Sequence, residues 1–280
     1  MRSRRLVPFV AAAMLAVLVT ACGGSDGEVR TSGTPAPTGG GPTTTAPAVP
    51  PSEHATASGT VARDAAGVDL RVVFLSGGKV ATAHRRVAPT RAVARAALEQ
   101  LVAGPNATEQ AAGYTSRVAP GTTIGSVTIA DGVATVVLSP DPTDTAARAQ
   151  VVYTLTQFPT VRRVRFGTGE AVSRDDFRAV TPLVFVESVA PGDVVASPVT
   201  VSGEANTFEA TVRIRVVGND GSVLADTHTT ATSGSGTWGT FSESVPFAKG
   251  ANTAGKIVVF WDSPADGAPR DVVEVPVRFS

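Results

Sequence analysis

The stretch "TIGSVTIADGVATVVLSPDPTDTAARAQVVYTLTQFPTVRRVRF", residues 123–166, carries three successive patterns in one run. In "TIGSVTIADGVATVVLS" (123–139) apolar residues alternate on both sides of Asp131-Gly132, a pair suited to a tight turn with positive φ. That predicts a hairpin in which Val127 and Ile129 share a face with Ala134, Val136 and Leu138. From about 143 to 158 the period changes to 3.6: Ala147, Val151, Leu155 and Phe158 form one helical stripe, and Pro159 ends it. "VRRVRF" (161–166) returns to alternation, with Val164 and Phe166 inward and Arg163 and Arg165 outward.

Upstream, "DLRVVFL" (69–75) reads as a strand with Leu70, Val72 and Phe74 on one face and Arg71 on the other. "SGGK" turns it into a second strand at about 79–87. A helix follows, with Thr90 as N-cap, an apolar face of Val93, Ala97, Leu98, Leu101 and Val102, and Gly104-Pro105 as its stop. The order is ββαββαβ, an α+β sandwich with helices on one sheet face. Downstream, residues 183–280 hold seven strand-like segments: "LVFVESV", "PVTVSGEA", "EATVRIRVVG", "SVLADTHTTA", "TFSESVPF", "GKIVVFWDS" and "RDVVEVPVRF". Asn219-Asp220-Gly221 marks one hairpin. Short strands between turn signals predict an all-β immunoglobulin-like sandwich.

The first 66 residues differ in kind. "MRSRR" is basic, and "LVPFVAAAMLAVLV" (6–19) is apolar but too short for a bilayer core of roughly 20 residues. This is the layout of a secretory signal. Its end, "VTAC", resembles a bacterial lipobox, with Val19, Thr20 and Ala21 before Cys22. The resemblance implies a diacylglycerol thioether and acylation (palmitate) at Cys22 after cleavage. The alternative is an ordinary signal peptide with an incidental cysteine. Cys22 is the chain's single cysteine, so no disulfide forms within it, and core burial alone must hold both domains. Residues 22–66 are rich in Gly, Thr and Pro and show no apolar period, which predicts a disordered stalk. As a flexible coil, about 40 residues span roughly 35 Å. The expected organisation is signal peptide 1–21, stalk 22–66, α+β domain 67–180 and β-sandwich 181–280.

Charge is balanced at 24 basic and 24 acidic residues. Removing residues 1–21 takes Arg2, Arg4 and Arg5 with it and leaves 21 against 24, which argues against a nucleic-acid partner. Arg outnumbers Lys by 21 to 3, as GC-rich codon usage produces. Together with the Pro/Thr stalk this suggests an actinobacterium. His54, His84 and His228 are scattered, so no Ser-His-Asp triad is signalled; strand histidines facing solvent are expected. Asp141 with Asp144, Asp175-Asp176 and "DGAPRD" are adjacent acids in loops, of the kind that face water. No metal and no cofactor is implied, and no catalytic residue.

The segments "LEQLVAGP", "APGTTIGSVTIADGVATVVLS" and "QVVYTLTQFPTVRRVRF" resemble the GerMN domain of spore-germination and sporulation proteins, over about 69–169. "ASPVTVSGEANTFEATVRIRV", "WGTFSESVPF" and "FWDSPADGAPRDVVEVPVRF" resemble the immunoglobulin-like domain that accompanies it in germination-type lipoproteins, over about 185–279. The resemblance implies a non-catalytic binding or scaffolding part of the cell envelope. Its expected location is the outer side of the cell membrane, held by a lipid anchor, with cell-wall polymer or envelope proteins as partners. The rivals are a wall-glycan-modifying enzyme and an assembly factor for a membrane complex. For binding, the outward Arg71, Arg163 and Arg165, joined by Thr128 and Thr135, suit a carboxylate- or phosphate-bearing polymer. Trp238, in a loop after "SGSGT", suits stacking or packing against the sandwich edge; Trp261 is expected in the core, and Phe208-Glu209 at the start of a strand.

Overall fold

The computed structural model describes residues 67–280; the expected signal peptide, Cys22 and the stalk lie outside the described residues. The first module opens with a hairpin of β1 (Val68–Ser76) and β2 (Lys79–Val87), turned by Gly77 and Gly78, both at positive φ. Helix α1 (Val93–Ala103) follows. Thr90 does not cap it: its hydroxyl accepts the Ala92 N–H at 3.1 Å in a local turn, so the helix begins later. Then come α2 (Ala107–Ala111), β3 (Tyr114–Thr115), β4 (Thr123–Ala130), β5 (Val133–Ser139), α3 (Thr145–Leu155), β6 (Arg163–Phe166), β7 (Ala171–Val172) and a 3-10 segment, Arg174–Val180. The β4–β5 register pairs Val127 with Val136 and Ile129 with Ala134, as the alternation predicts. Asp131 and Gly132 occupy the turn at positive φ.

The module is α+β, but its strands form two sheets where the pattern suggested one. Their orders are β2-β1-β3 and β4-β5-β6-β7, with β5 and β6 parallel. The reason lies in α3. Beyond its expected apolar stripe, Gln150 and Thr154 are also fully buried. Thr154 Oγ1 accepts the Val73 N–H at 3.0 Å, and Gln150 donates to the Val73 carbonyl at 3.2 Å. Just past the helix, Gln157 accepts from Arg71 N–H at 2.7 Å and donates to the Arg71 carbonyl at 2.6 Å. Side chains thus serve the β1 edge where a strand would otherwise lie, satisfying buried backbone groups that would be costly unpaired. Helix α3 is consequently buried on every side from Ala149 to Leu155.

The second module is a sandwich of β8 (Val184–Val186), β9 (Val194–Val195), β10 (Val199–Ala205), β11 (Thr211–Gly218), β12 (Val223–Thr230), β13 (Gly239–Val245), β14 (Ala254–Asp262) and β15 (Pro269–Phe279). The sheets run β13-β10-β8 and β12-β11-β14-β15-β9. All seven expected strands form, and β9 adds a short parallel partner to β15. Val201, Val212, Ile214, Val216, Ile257, Val259, Val275 and Val277 fill the space between the sheets. Two readings are corrected. Phe208–Ala210 is a 3-10 turn, because Glu209 and Ala210 have positive φ and cannot extend the strand. Trp261 is half-buried at the core margin, where its N–H donates to Asp271 Oδ2 at 2.7 Å.

The modules share one core at their joint. Phe185 of β8 is 1 % exposed and belongs to the first module's apolar cluster, edge-on to Tyr153 of α3 with ring centroids 5.1 Å apart. Gly203 makes this approach achievable. It pairs with Val186, and a Cβ at position 203 would lie 1.9 Å from the Phe185 carbonyl oxygen. Gly203→Ala must therefore push β8, and Phe185 with it, away from β10. We expect it to lower unfolding free energy by about 3 kcal/mol, read as a shifted urea midpoint.

Candidate functional site

Around Phe185 the joint is lined by charge. Arg174 Nη1 lies 2.5 Å from Glu204 Oε1, and its Nη2 lies 3.1 Å from Glu187 Oε1. Its Nε donates to Thr156 Oγ1 at 2.8 Å, and its guanidinium lies 4.8 Å from the Tyr153 ring centroid. Burial disfavours the Arg174 cation, but the two carboxylates outweigh it and hold the pKa above the ordinary value. Arg178 meets the other oxygen of Glu204 at 2.5 Å and stacks 4.3 Å from the Trp238 ring. Trp238 is thus half-buried, with a guanidinium of the first module over its ring, where the sequence left it a loop aromatic. Tyr153 Oη and Thr181 Oγ1, 2.6 Å apart, complete the set.

Beside the joint, the modules enclose an open cleft of about 1200 Å³. Leu70, Phe158, Val194 and Val199 supply apolar wall, Arg71, Arg86 and Arg278 supply positive charge, and His84, Asp69 and Asp193 stand beside them. Arg71 does leave the face of Leu70 and Val72, but it enters this cleft, 3.6 Å from Glu187 Oε1. It does not join Arg163 and Arg165, which sit in the other sheet. His84 also departs from the expected solvent-facing role. Its Nδ1 lies 2.8 Å from Asp193 Oδ2 and its Nε2 3.2 Å from the Glu187 carbonyl, linking β2 to the second module. Burial favours neutral imidazole, yet Asp193 and the Glu187 carbonyl together raise the pKa, against a smaller opposing effect of Arg71.

The second sheet of the first module carries the other expected surface. Thr135 pairs with Thr128 on one side and Arg165 on the other, while Arg163 pairs with Val133. Val164 and Phe166 point inward and are buried; Arg163 and Arg165 are exposed. Arg163 Nη2 donates to the Ala171 carbonyl, which fixes one guanidinium. These four side chains therefore form one outward polar face, without Arg71.

Most of the acids noted in the sequence have local partners, and Asp141 is exposed. Asp144 caps α3 by accepting the Ala147 N–H at 2.9 Å. Asp176 accepts from Ser173 N–H, and that bond holds its carboxyl below the usual range; Asp175 pairs with Arg178. Asp266 accepts the Ala268 N–H and pairs with Arg270 at 3.2 Å. Among the described residues, no three His, Cys, Asp or Glu side chains converge as a metal site would need. One buried pair escaped the sequence reading. Glu109, 1 % exposed, receives both terminal nitrogens of Arg85 and the Asn106 N–H, within a capping box that starts α2. The Asn-x-x-Glu spacing of Asn106 and Glu109 was its available signal.

Because the folded His84 pKa is raised, its contribution is complete below the unfolded value of about 6.5 and disappears as pH rises through the folded value. The urea midpoint is expected to fall as pH is raised from about 6 to about 8, and this part of the slope to vanish in His84→Gln.

Residues 71–169 match the family described as sporulation and spore germination, and residues 183–268 match the immunoglobulin-like domain of bacterial spore germination. Among solved structures, the tandem GerMN domains of the sporulation protein GerM from Bacillus subtilis align at 16 % identity, covering 64 % of this chain and 61 % of that one, with a TM-score of 0.34. The first GerMN domain of the same protein aligns at 23 % identity, covering 37 % of this chain and 85 % of that one, with a TM-score of 0.30. The chain thus spans less than two thirds of the tandem GerMN structure. No curated protein matches it. The chain thus carries, in this order, one segment that matches the sporulation and spore germination family and one that matches the immunoglobulin-like domain of bacterial spore germination.

Proposed function

We propose that this protein is a lipid-anchored, extracytoplasmic scaffold that binds envelope components without chemical turnover. The observation that carries this reading is the fused joint. Phe185 enters the neighbouring module's core, and Glu204 holds Arg174 and Arg178 together, so two domains present their surfaces in one fixed relation. That suits a part that positions partners. Support for the anchor comes from the basic start, the short apolar run and "VTAC" ending at Cys22. No helix among the described residues is long and apolar enough to cross a membrane. Two acyl chains would hold such a protein firmly, since each buried methylene contributes about 0.8 kcal/mol. The polar face of Arg163, Arg165, Thr128 and Thr135 is the contact surface we assign to an anionic envelope component.

Two measurements test this. Cells fed labelled palmitate should label the wild-type chain in the membrane fraction, while Cys22→Ser stays unlabelled; an unlabelled, cytosolic wild type overturns the anchor. In a crosslinking pull-down from native membranes, Arg163→Ala with Arg165→Ala should reduce partner recovery about tenfold. Undiminished recovery removes that face as the binding surface. Turnover of purified wall material, abolished by a single Asp or Glu substitution, would instead make the chain an enzyme.

A further inference from the structure

The inter-module cleft brings three features together in one place. The first is an open strand edge. Strand β2 is the outermost strand of β2-β1-β3. Arg71 and Val73 send their N–H and C=O groups away from β2, into the side chains of Gln157, Gln150 and Thr154. Their antiparallel partners, His84 and Thr82, must then point their own backbone groups away from β1, and alternation extends this to Arg86 opposite Asp69. The Thr82 carbonyl is taken by Tyr114 Oη at 3.1 Å and the His84 carbonyl by Arg85 Nη1 at 3.0 Å. The N–H groups of His84 and Arg86 have no partner among the described residues. Both residues line the cleft.

The second feature is charge. Arg278 is exposed and makes one long contact, 3.5 Å, to the Gly192 carbonyl. Arg71 has only its 3.6 Å contact to Glu187, whose nearer partner is Arg174. Arg86 pairs with Asp69, but both are largely exposed, so that pair is weak and readily exchanged. The third is apolar wall: Val194, 58 % exposed, with Val195 and Phe158. A phosphate polymer would answer the cations and accept from the two backbone donors, but it would leave the apolar wall unmatched. An extended polypeptide answers all three.

We propose that the cleft receives an extended segment of a partner protein in which acidic and aliphatic residues alternate, added as a further strand beside β2. Its carbonyls accept from the N–H groups of His84 and Arg86. Its carboxylates meet Arg71, Arg86 and Arg278, and its aliphatic side chains cover Val194 and Phe158. Backbone pairing supplies affinity, and the alternating side chains supply selectivity. This rests on the scaffold reading and names the class of partner and its seat.

The probe is a fluorescein-labelled peptide of alternating glutamate and valine, six residues long, titrated with the full chain in detergent and read by anisotropy. Saturable binding is expected, weakened about tenfold or more by Arg86→Glu with Arg278→Glu. Both residues are exposed, so an unchanged melting temperature will show that the variant is folded. N-methylation of the alternate peptide amides that face β2 should abolish binding, because the methyl groups stand in the edge and keep the peptide carbonyls from reaching the His84 and Arg86 N–H groups. The proposal is overturned by absence of saturable binding, or by equal binding of a lysine–valine peptide or of the N-methylated peptide. Displacement of the peptide by poly(glycerol phosphate) at equal charge, with the N-methylated form binding as well as the parent, overturns it in favour of a phosphate polymer. A chain that ignores the peptide yet remains palmitoylated and retrieves envelope partners refutes this site alone. One that binds the peptide but resides in the cytosol supports the site and refutes the envelope reading.

Discussion

Phe185 is a residue of one domain that is counted in the core of the other, and the rest of the molecule is arranged around that fact. Its ring against Tyr153 removes from water an aromatic surface that neither module could cover alone. Burial of this kind is non-directional, so it does not by itself fix how the modules face each other. The surrounding ions do. Glu204 sits on β10 and meets Arg174 and Arg178 from the 3-10 segment, while Glu187 follows β8 and meets Arg174. Guanidinium and carboxylate planes match at few angles, so they set orientation where the apolar contact sets proximity. Breaking such a partly buried pair on one side costs far more than the pair yields over water, which makes the arrangement hard to exchange for another.

The same logic of polar groups specifying an apolar assembly governs α3. A fully buried helix needs no Gln or Thr for its own stability, and its interior setting would reward Leu or Val at those positions. Gln150, Thr154 and Gln157 are there for β1, whose amide groups they satisfy. They fix the helix against the strand in one register, since a shift of one residue would orphan several donors and acceptors at once. Arg85 and Glu109 do similar service at the other end of the module, tying the short α2 to β2 beneath Phe74, whose ring lies 5.5 Å from the Arg85 guanidinium.

Much of the fold was legible because it rests on periodicity. The Asp131-Gly132 hairpin, the β6 alternation of Val164 and Phe166, and the seven sandwich strands are local patterns, and local patterns survive into three dimensions. The division of the first module into two sheets was not legible. It depends on contacts between residues more than seventy positions apart, and Gln and Thr on a helix look like a solvated face until the neighbouring strand is known. The outward face of Arg163, Arg165, Thr128 and Thr135 could be read, since strand register alone creates it. Arg71, His84 and Trp238 could not be placed in the same way. Each is defined by the other module: Arg71 by Glu187, His84 by Asp193, Trp238 by Arg178. Alternation gives the side of a strand, and says nothing of what a second domain lays against it.

The glutamine-sealed edge of β1 has a bearing on crowding. Sheets propagate into fibres when each copy offers two bare margins, one to receive and one to donate. In β2-β1-β3, the margin beyond β1 is occupied over Arg71–Val73 by the side chains of Gln157 and Thr154, and over Leu75–Ser76 by the short β3. Growth in that direction is closed from within the fold. Concentrating many copies therefore cannot zip this sheet into an endless ladder.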